Sequence, residues 1–205
     1  MHNSKKIISF VLIAITLLLP TVIYANEIDI QAKSAILIDA DSGQVLMEKN
    51  ANLKLPPASI TKTMTLLLAL EAIEKDKFSL DDKVKITDLA ESMGGSQIWL
   101  KSGEELPLRD LLKAISIPSA NDACVAVAEY IGGTERNFIR MMNQRAKELG
   151  LQHTHFVNTT GLPVKSGNHY SSAHDIAVIA RQLVKHNKVL DWTSKRMGYI
   201  KQGNY

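Results

Sequence analysis

The feature that most constrains this chain is Ile60 to Lys75, a run of 16 residues with no proline or glycine and apolar side chains at most positions. A run of that length and composition reads as one helix, and apolar residues on most sides of it predict burial nearly all round rather than along a stripe. Such a helix cannot stand at a surface, so the chain must supply other elements, a sheet among them, to cover it.

The remaining patterns supply part of that cover. Ala35 to Asp39 and Gln44 to Glu48 are short β-prone runs separated by Ala40-Asp41-Ser42-Gly43, which predicts a hairpin. Leu108 to Ser116 reads as an amphipathic helix stopped by Pro118, and Ala123 to Ile131 as another, ended by Gly132-Gly133. Thr134 caps a helix to Leu149 that Gly150 closes. Ser172 with Asp175 predicts a capping box for a helix running to about His186. Strands followed by helices give an α+β fold. Two strands make a poor sheet by themselves, and after Lys188 only Met197 to Ile200 is a candidate strand, so the sequence reads as part of a larger fold whose C-terminal strands are missing.

Residues 1–25 read as a signal peptide. Lys5 and Lys6 form a positive start, Ile7 to Leu19 is a largely apolar run of 13 residues, and Ile23-Tyr24-Ala25 precedes a cut at Asn26. Thirteen residues are short for a bilayer core, which needs about 20. Residues 26–205 are then an exported domain on the periplasmic or extracytoplasmic side. Without the two leader lysines the chain holds 22 basic and 21 acidic residues, so its charge gives no argument for a nucleic-acid partner. A single cysteine, Cys124, excludes an internal disulfide and any multi-cysteine zinc site. It lies in the apolar stretch Ala123-Cys124-Val125-Ala126-Val127 and is expected to be buried and inert.

Chemistry is concentrated in two places. Ser59-Ile60-Thr61-Lys62 is the only Ser-x-x-Lys in the chain and stands at the start of the long helix, after Pro56-Pro57-Ala58. Residues i and i+3 share a helix face, so the Lys62 amine can lie beside the Ser59 hydroxyl, and a buried lysine with a lowered pKa can serve as a base where no histidine does. The helix start adds free N–H groups and a positive dipole end for a developing oxyanion. The competing reading is a capping serine with a solvated lysine one turn on, and the tetrapeptide alone is a weak signal. The second place is Ser119-Ala120-Asn121, on a bend set by Ile117-Pro118 and followed by Asp122 and a helix. A serine and an amide there could shuttle a proton and orient a substrate amide, or could simply cap the helix. Ser166-Gly167-Asn168 is a competing copy that spacing alone does not exclude. His153-x-His155 and His169 with His174 are too sparse for a metal site, so neither metal nor cofactor is expected. Trp99 and Trp192 read as packing residues.

Three strings taken together carry a resemblance. Pro57-Ala58-Ser59-Ile60-Thr61-Lys62-Thr63-Met64-Thr65, Ser119-Ala120-Asn121-Asp122-Ala123-Cys124-Val125-Ala126 and Tyr170-Ser171-Ser172-Ala173-His174-Asp175 resemble, in order and spacing, low-molecular-weight penicillin-binding proteins. The subgroup is the D-alanyl-D-alanine carboxypeptidases of the type 5/6 class, serine peptidase family S11, and the resemblance runs from about Ile36 to the end of the chain. It implies a β-lactamase/transpeptidase-like (DD-peptidase) domain acting on peptidoglycan stem peptides that end in D-Ala-D-Ala, and binding of β-lactam antibiotics. By that resemblance Ser59 is the nucleophile that becomes the acyl-ester, Lys62 the general base, Ser119 the proton relay and Asn121 the substrate-binding amide; Ser166 is then a look-alike. The family's third motif, Lys-Thr/Ser-Gly, lies on a later strand, and Lys165-Ser166-Gly167 imitates it too early in the chain. The sequence is therefore expected to lack that motif, the second β-domain and the family's membrane anchor. Two other readings stand beside the carboxypeptidase. One is a class A β-lactamase, disfavoured because Ala120 stands where those enzymes prefer aspartate; the other is a catalytically dead fragment that at most binds cell-wall peptides.

Overall fold

The computed structural model describes residues 30–165 and 167–195. Met1–Gln31 forms one unit and Ala32–Tyr205 another, and every element named here lies in the second. The expected signal peptide, the candidate strand Met197 to Ile200 and Ser166 lie outside the described residues.

The first two strands form the predicted hairpin. β1 (Ala35–Ile38) pairs antiparallel with β2 (Val45–Lys49), with Ile36 opposite Glu48 and a bulge after Leu37. The turn is closed by Asp39, whose Oδ1 accepts from the Ser42 amide at 2.7 Å and its hydroxyl at 2.6 Å. A second pair, β3 (Lys83–Lys85) with β4 (Glu105–Pro107), was not legible in the sequence, because three residues give no measurable alternation.

The long run becomes a 3-10 turn, Ala58–Thr61, followed by α1 (Lys62–Glu74). Met64 and Leu66 to Leu70 are all buried, as its pattern predicts, although Ile60 on the preceding turn is 49% exposed. Around α1 pack α3 (Leu108–Ser116), α4 (Asn121–Gly132), α5 (Glu135–Glu148) and α6 (Ala173–Leu183). The short α2 (Asp88–Glu91) lies against α4, and α7 (Asn187–Thr193) against α3. α4 begins two residues earlier than its apolar run suggests, and Asn121 to Ala128 are all buried. Thr134 caps α5 as expected, its hydroxyl accepting from the Asn137 amide at 3.1 Å.

The capping box at α6 is half formed. The Ser172 hydroxyl accepts from the Asp175 amide at 3.1 Å, but the buried Asp175 carboxylate turns away to accept from the His153 amide at 2.8 Å and the Thr154 hydroxyl at 2.7 Å. Just before it, Ser171 pairs with Leu55 and Tyr170 with His155 through antiparallel backbone bridges. The Tyr170-Ser171-Ser172 string is therefore a joint: it fastens the approach to Ser59 onto the segment that follows α5. At the other end of the fold, Arg181 of α6 donates from Nε to the Ala40 carbonyl at 2.8 Å and from Nη2 to the Asp41 carbonyl, which docks the hairpin turn on the helices.

Candidate active site

Ala58 enters the site with φ +47, a left-handed conformation that costs a non-glycine residue about 1 kcal/mol or more. The turn leaves Ser59 exposed and, three residues on, Lys62 only 3% exposed. Lys62 Nζ donates to Ser59 Oγ at 3.1 Å and to the Thr160 carbonyl at 2.9 Å. No carboxylate bonds to this amine among the described residues. Burial pushes its pKa below the ordinary lysine value, against a weaker opposing pull from Cys124.

The Thr160 carbonyl belongs to a strap, Asn158 to Leu162, that sequence reasoning missed. Thr159 anchors it from both sides: its amide and hydroxyl donate to Glu135, while its carbonyl accepts from the Thr65 hydroxyl and the Cys124 thiol, each at 3.1 Å. Gly161 has φ +82, and a Cβ there would stand 1.7 Å from the Ala58 carbonyl oxygen. Only glycine lets the strap lie flat against the serine turn. The signal available in the sequence was that glycine, inside Asn158-Thr159-Thr160-Gly161.

One more group fixes the turn from below. The Val157 amide donates to His169 Nδ1 at 3.1 Å, so Nδ1 is the unprotonated nitrogen and Nε2–H donates to the buried Thr61 hydroxyl at 2.8 Å. Burial, with His155 nearby, holds the ring's pKa below the ordinary histidine value.

The second motif begins at Ser119. Ser119 has φ +60, and its hydroxyl makes no hydrogen bond among the described residues, to Ser59 and Lys62 or to anything else. Asn121 is buried; its amide N–H donates to the Ser96 carbonyl at 2.7 Å and its Nδ2 to the Gly94 carbonyl at 2.6 Å. A carbonyl can only accept, so the orientation of the Asn121 amide is fixed and Oδ1 is left without a partner among the described residues. No fully buried side-chain nitrogen or oxygen lacks a partner there, so Oδ1 keeps some accessible surface. A Cβ on Gly95 would stand 2.8 Å from Asn121 Nδ2 and 3.7 Å from Leu162, so the strap and the Asn121 loop meet there. The structure thus joins Ser59 to Lys62 directly, and joins Asn121 to them through the strap.

Two expectations need correction. The Ser119 to Asp122 segment does not cap α4 with a side chain: Ala120 holds the cap position, and Asp122, fully buried, accepts from the amides of Ile98 at 3.1 Å, Leu100 at 3.0 Å and Ala123 at 2.8 Å. Trp99, between two of those donors, is not a packing residue: it has φ +53 and is 73% exposed. The clamp on both neighbouring amides sets that backbone and leaves the ring outside the core. Trp192 is in the core, 6% exposed. Cys124 is fully buried and its thiol is pushed up to about 11 by burial, as an inert core cysteine should be.

The helical α+β body that carries this serine and buried lysine superposes on solved structures of the DD-peptidase/transpeptidase fold class. The comparisons name it more closely. A family model described as D-alanyl-D-alanine carboxypeptidase, peptidase S11, matches residues 21–202, and the chain belongs to that family. The D-alanyl-D-alanine carboxypeptidase DacF of Bacillus subtilis is 48% identical over 177 residues, 86% of this chain and 45% of that protein. The crystal structure of the carboxypeptidase DacD from Francisella tularensis superposes with a TM-score of 0.80 at 35% identity, covering 88% of this chain and 44% of that one. Penicillin-binding protein D2 of Listeria monocytogenes in its ampicillin-bound form gives a TM-score of 0.72 at 30% identity, over 82% of this chain and 68% of that one. The chain spans about half the length of the first two relatives.

Proposed function

We propose that the chain carries the acylating machinery of a serine D-Ala-D-Ala carboxypeptidase, exported to act on peptidoglycan stem peptides and open to β-lactams. The observation that carries this reading is the Lys62 amine: buried, held between Ser59 Oγ and a neutral carbonyl, without a carboxylate partner among the described residues and with a lowered pKa. An amine so placed loses its proton more readily than a solvated lysine, and its lone pair then faces the serine hydroxyl.

In this reading Lys62 takes the Ser59 proton as Oγ attacks the carbonyl of the penultimate D-Ala. Asn121 Oδ1 accepts an N–H of the acyl-side peptide, the role its unpaired oxygen supports. Ser119, whose hydroxyl is likewise uncommitted among the described residues, passes a proton to the departing amine of the terminal D-Ala. The product is an ester on Ser59, which water hydrolyses to free the enzyme. A β-lactam supplies the same acyl carbon within a strained ring, and its ampicillin-bound Listeria relative supports extending the reading to penicillins.

The test is covalent labelling of the chain by a fluorescent penicillin, followed by peptide mapping. The label is expected on Ser59 and nowhere else. A label on Ser119, or on no residue, would overturn the proposal.

A further inference from the structure

Among the described residues, five non-glycine positions have left-handed backbone: Asn50, Ala58, Asp76, Trp99 and Ser119. Asn50 and Asp76 are residue types that adopt this conformation readily at turns. Of the other three, Ala58 precedes the candidate nucleophile and Ser119 opens the second motif. Trp99 is the bulkiest of them and the one for which the conformation is hardest to hold. Backbone strain of this kind persists where the surroundings enforce it, and here the enforcing group is Asp122, buried and bonded to the amides on both sides of Trp99.

The loop that presents Trp99 is fastened to the second motif along its length. Gly94 and Ser96 bond to Asn121, the Ser96 hydroxyl bonds to the Pro118 carbonyl, and Ile98 and Leu100 bond to Asp122. Trp99 is thus held one side chain's length from the residue next to Asn121. Trp99 is 73% exposed as a residue, while Trp192 is in the core. An indole fixed on a rigid loop loses little entropy when a ligand covers it, which suits a contact surface.

We propose that the Trp99 ring is a substrate-contacting wall of this site, packing against the side chain of the residue that precedes the D-Ala-D-Ala unit; this rests on the carboxypeptidase reading. The side of the scissile bond follows from Asn121. Its free Oδ1 accepts an N–H of the acyl part, and the wall attached to Asn121 therefore meets the acyl part, not the departing D-Ala. The chemistry of an exposed indole face selects a long side chain with an aliphatic stem over glycine at that position.

The experiment uses the chain with Ser59→Ala, which binds without turnover, and 5-fluorotryptophan in place of both tryptophans. Trp99→Phe assigns the two fluorine resonances. Two N-acetylated tripeptides, Lys-D-Ala-D-Ala and Gly-D-Ala-D-Ala, are titrated. The lysine peptide is expected to shift the Trp99 resonance and not that of Trp192, and to bind more tightly than the glycine peptide. Trp99→Ala is expected to lower that preference about 5- to 10-fold, the scale of one aromatic contact. A chain that takes penicillin on Ser59 while the Trp99 resonance ignores both peptides, or keeps its preference as Trp99→Ala, overturns this inference alone. A chain that takes no penicillin overturns the carboxypeptidase reading, and the inference with it.

Discussion

Lys62 Nζ and the carbonyl oxygen of Thr160, 98 positions apart in the chain, are joined by a 2.9 Å hydrogen bond. A carbonyl is a weaker partner for an ammonium than a carboxylate, so it fixes where the amine sits without restoring its preference for the proton. The same nitrogen touches Ser59 Oγ. Position comes from the strap, and the lowered pKa from burial.

The first prediction concerns that amine. If the unprotonated Lys62 is the base, as proposed, acylation by penicillin should rise with pH, and its midpoint should fall below the ordinary 10.5 of a free side chain. Lys62→Arg should keep the near-ultraviolet circular dichroism of the folded chain and acylate about 100-fold more slowly or worse, since arginine cannot give up its proton at working pH. An arginine variant that keeps most of the rate would reduce Lys62 to an electrostatic neighbour.

Ser59→Ala should abolish labelling at almost no cost in stability. The side chain is exposed and caps nothing, so the change should fall within about 0.5 kcal/mol in urea unfolding. A larger loss would mean that the hydroxyl holds the turn together, and that lost labelling in this variant says nothing about chemistry.

The third prediction is a pH dependence of stability. His169 titrates below its unfolded value of 6.5 because burial disfavours the charged ring, and Val157 N–H already occupies the lone pair a proton would need. Above that pH the ring is neutral in both states and nothing changes. As pH falls through 6.5 the unfolded chain takes up a proton that the folded chain refuses, so stability declines until the folded ring titrates too. His169→Gln should be less stable near pH 7.5 but lose less on going to about pH 5.5. Equal losses in both proteins, measured as urea midpoints, would assign the acid sensitivity to other groups.

Much of this architecture was legible because it is local. Ile60 to Lys75, Thr134 with Gly150, and the Asp41-Ser42-Gly43 turn carry their structure in composition and spacing over a few residues. Ser59 and Lys62 were legible for the same reason, one helical turn apart. What stayed hidden depends on long-range bonding. Thr160 looks like any loop threonine until its carbonyl is seen on Lys62, and Asp122 reads as a capping residue until its carboxylate is found on the Ile98 and Leu100 amides. Trp99 was misjudged by the ordinary rule that tryptophan packs inside, a rule that the Asp122 clamp overrides.

The strap gives the last prediction. Gly161→Ala places a methyl group 1.7 Å from the Ala58 carbonyl oxygen, 2.3 Å from its carbon and 2.9 Å from the Thr61 hydroxyl, at a φ of +82 that alanine disfavours. Backbone lies on both sides of the clash, so neither side yields as a flexible side chain would. The strap must lift, which carries the Thr160 carbonyl away from Lys62 and loosens the turn that presents Ser59. Stability should fall by about 2 kcal/mol or more. Penicillin labelling should fall further than the unfolded fraction accounts for, because the molecules that stay folded have lost the group that orients the proposed base. Labelling compared at a temperature where the variant is fully folded separates the two effects. If the folded variant acylates at the parent rate, the Lys62–Thr160 contact is architecture alone.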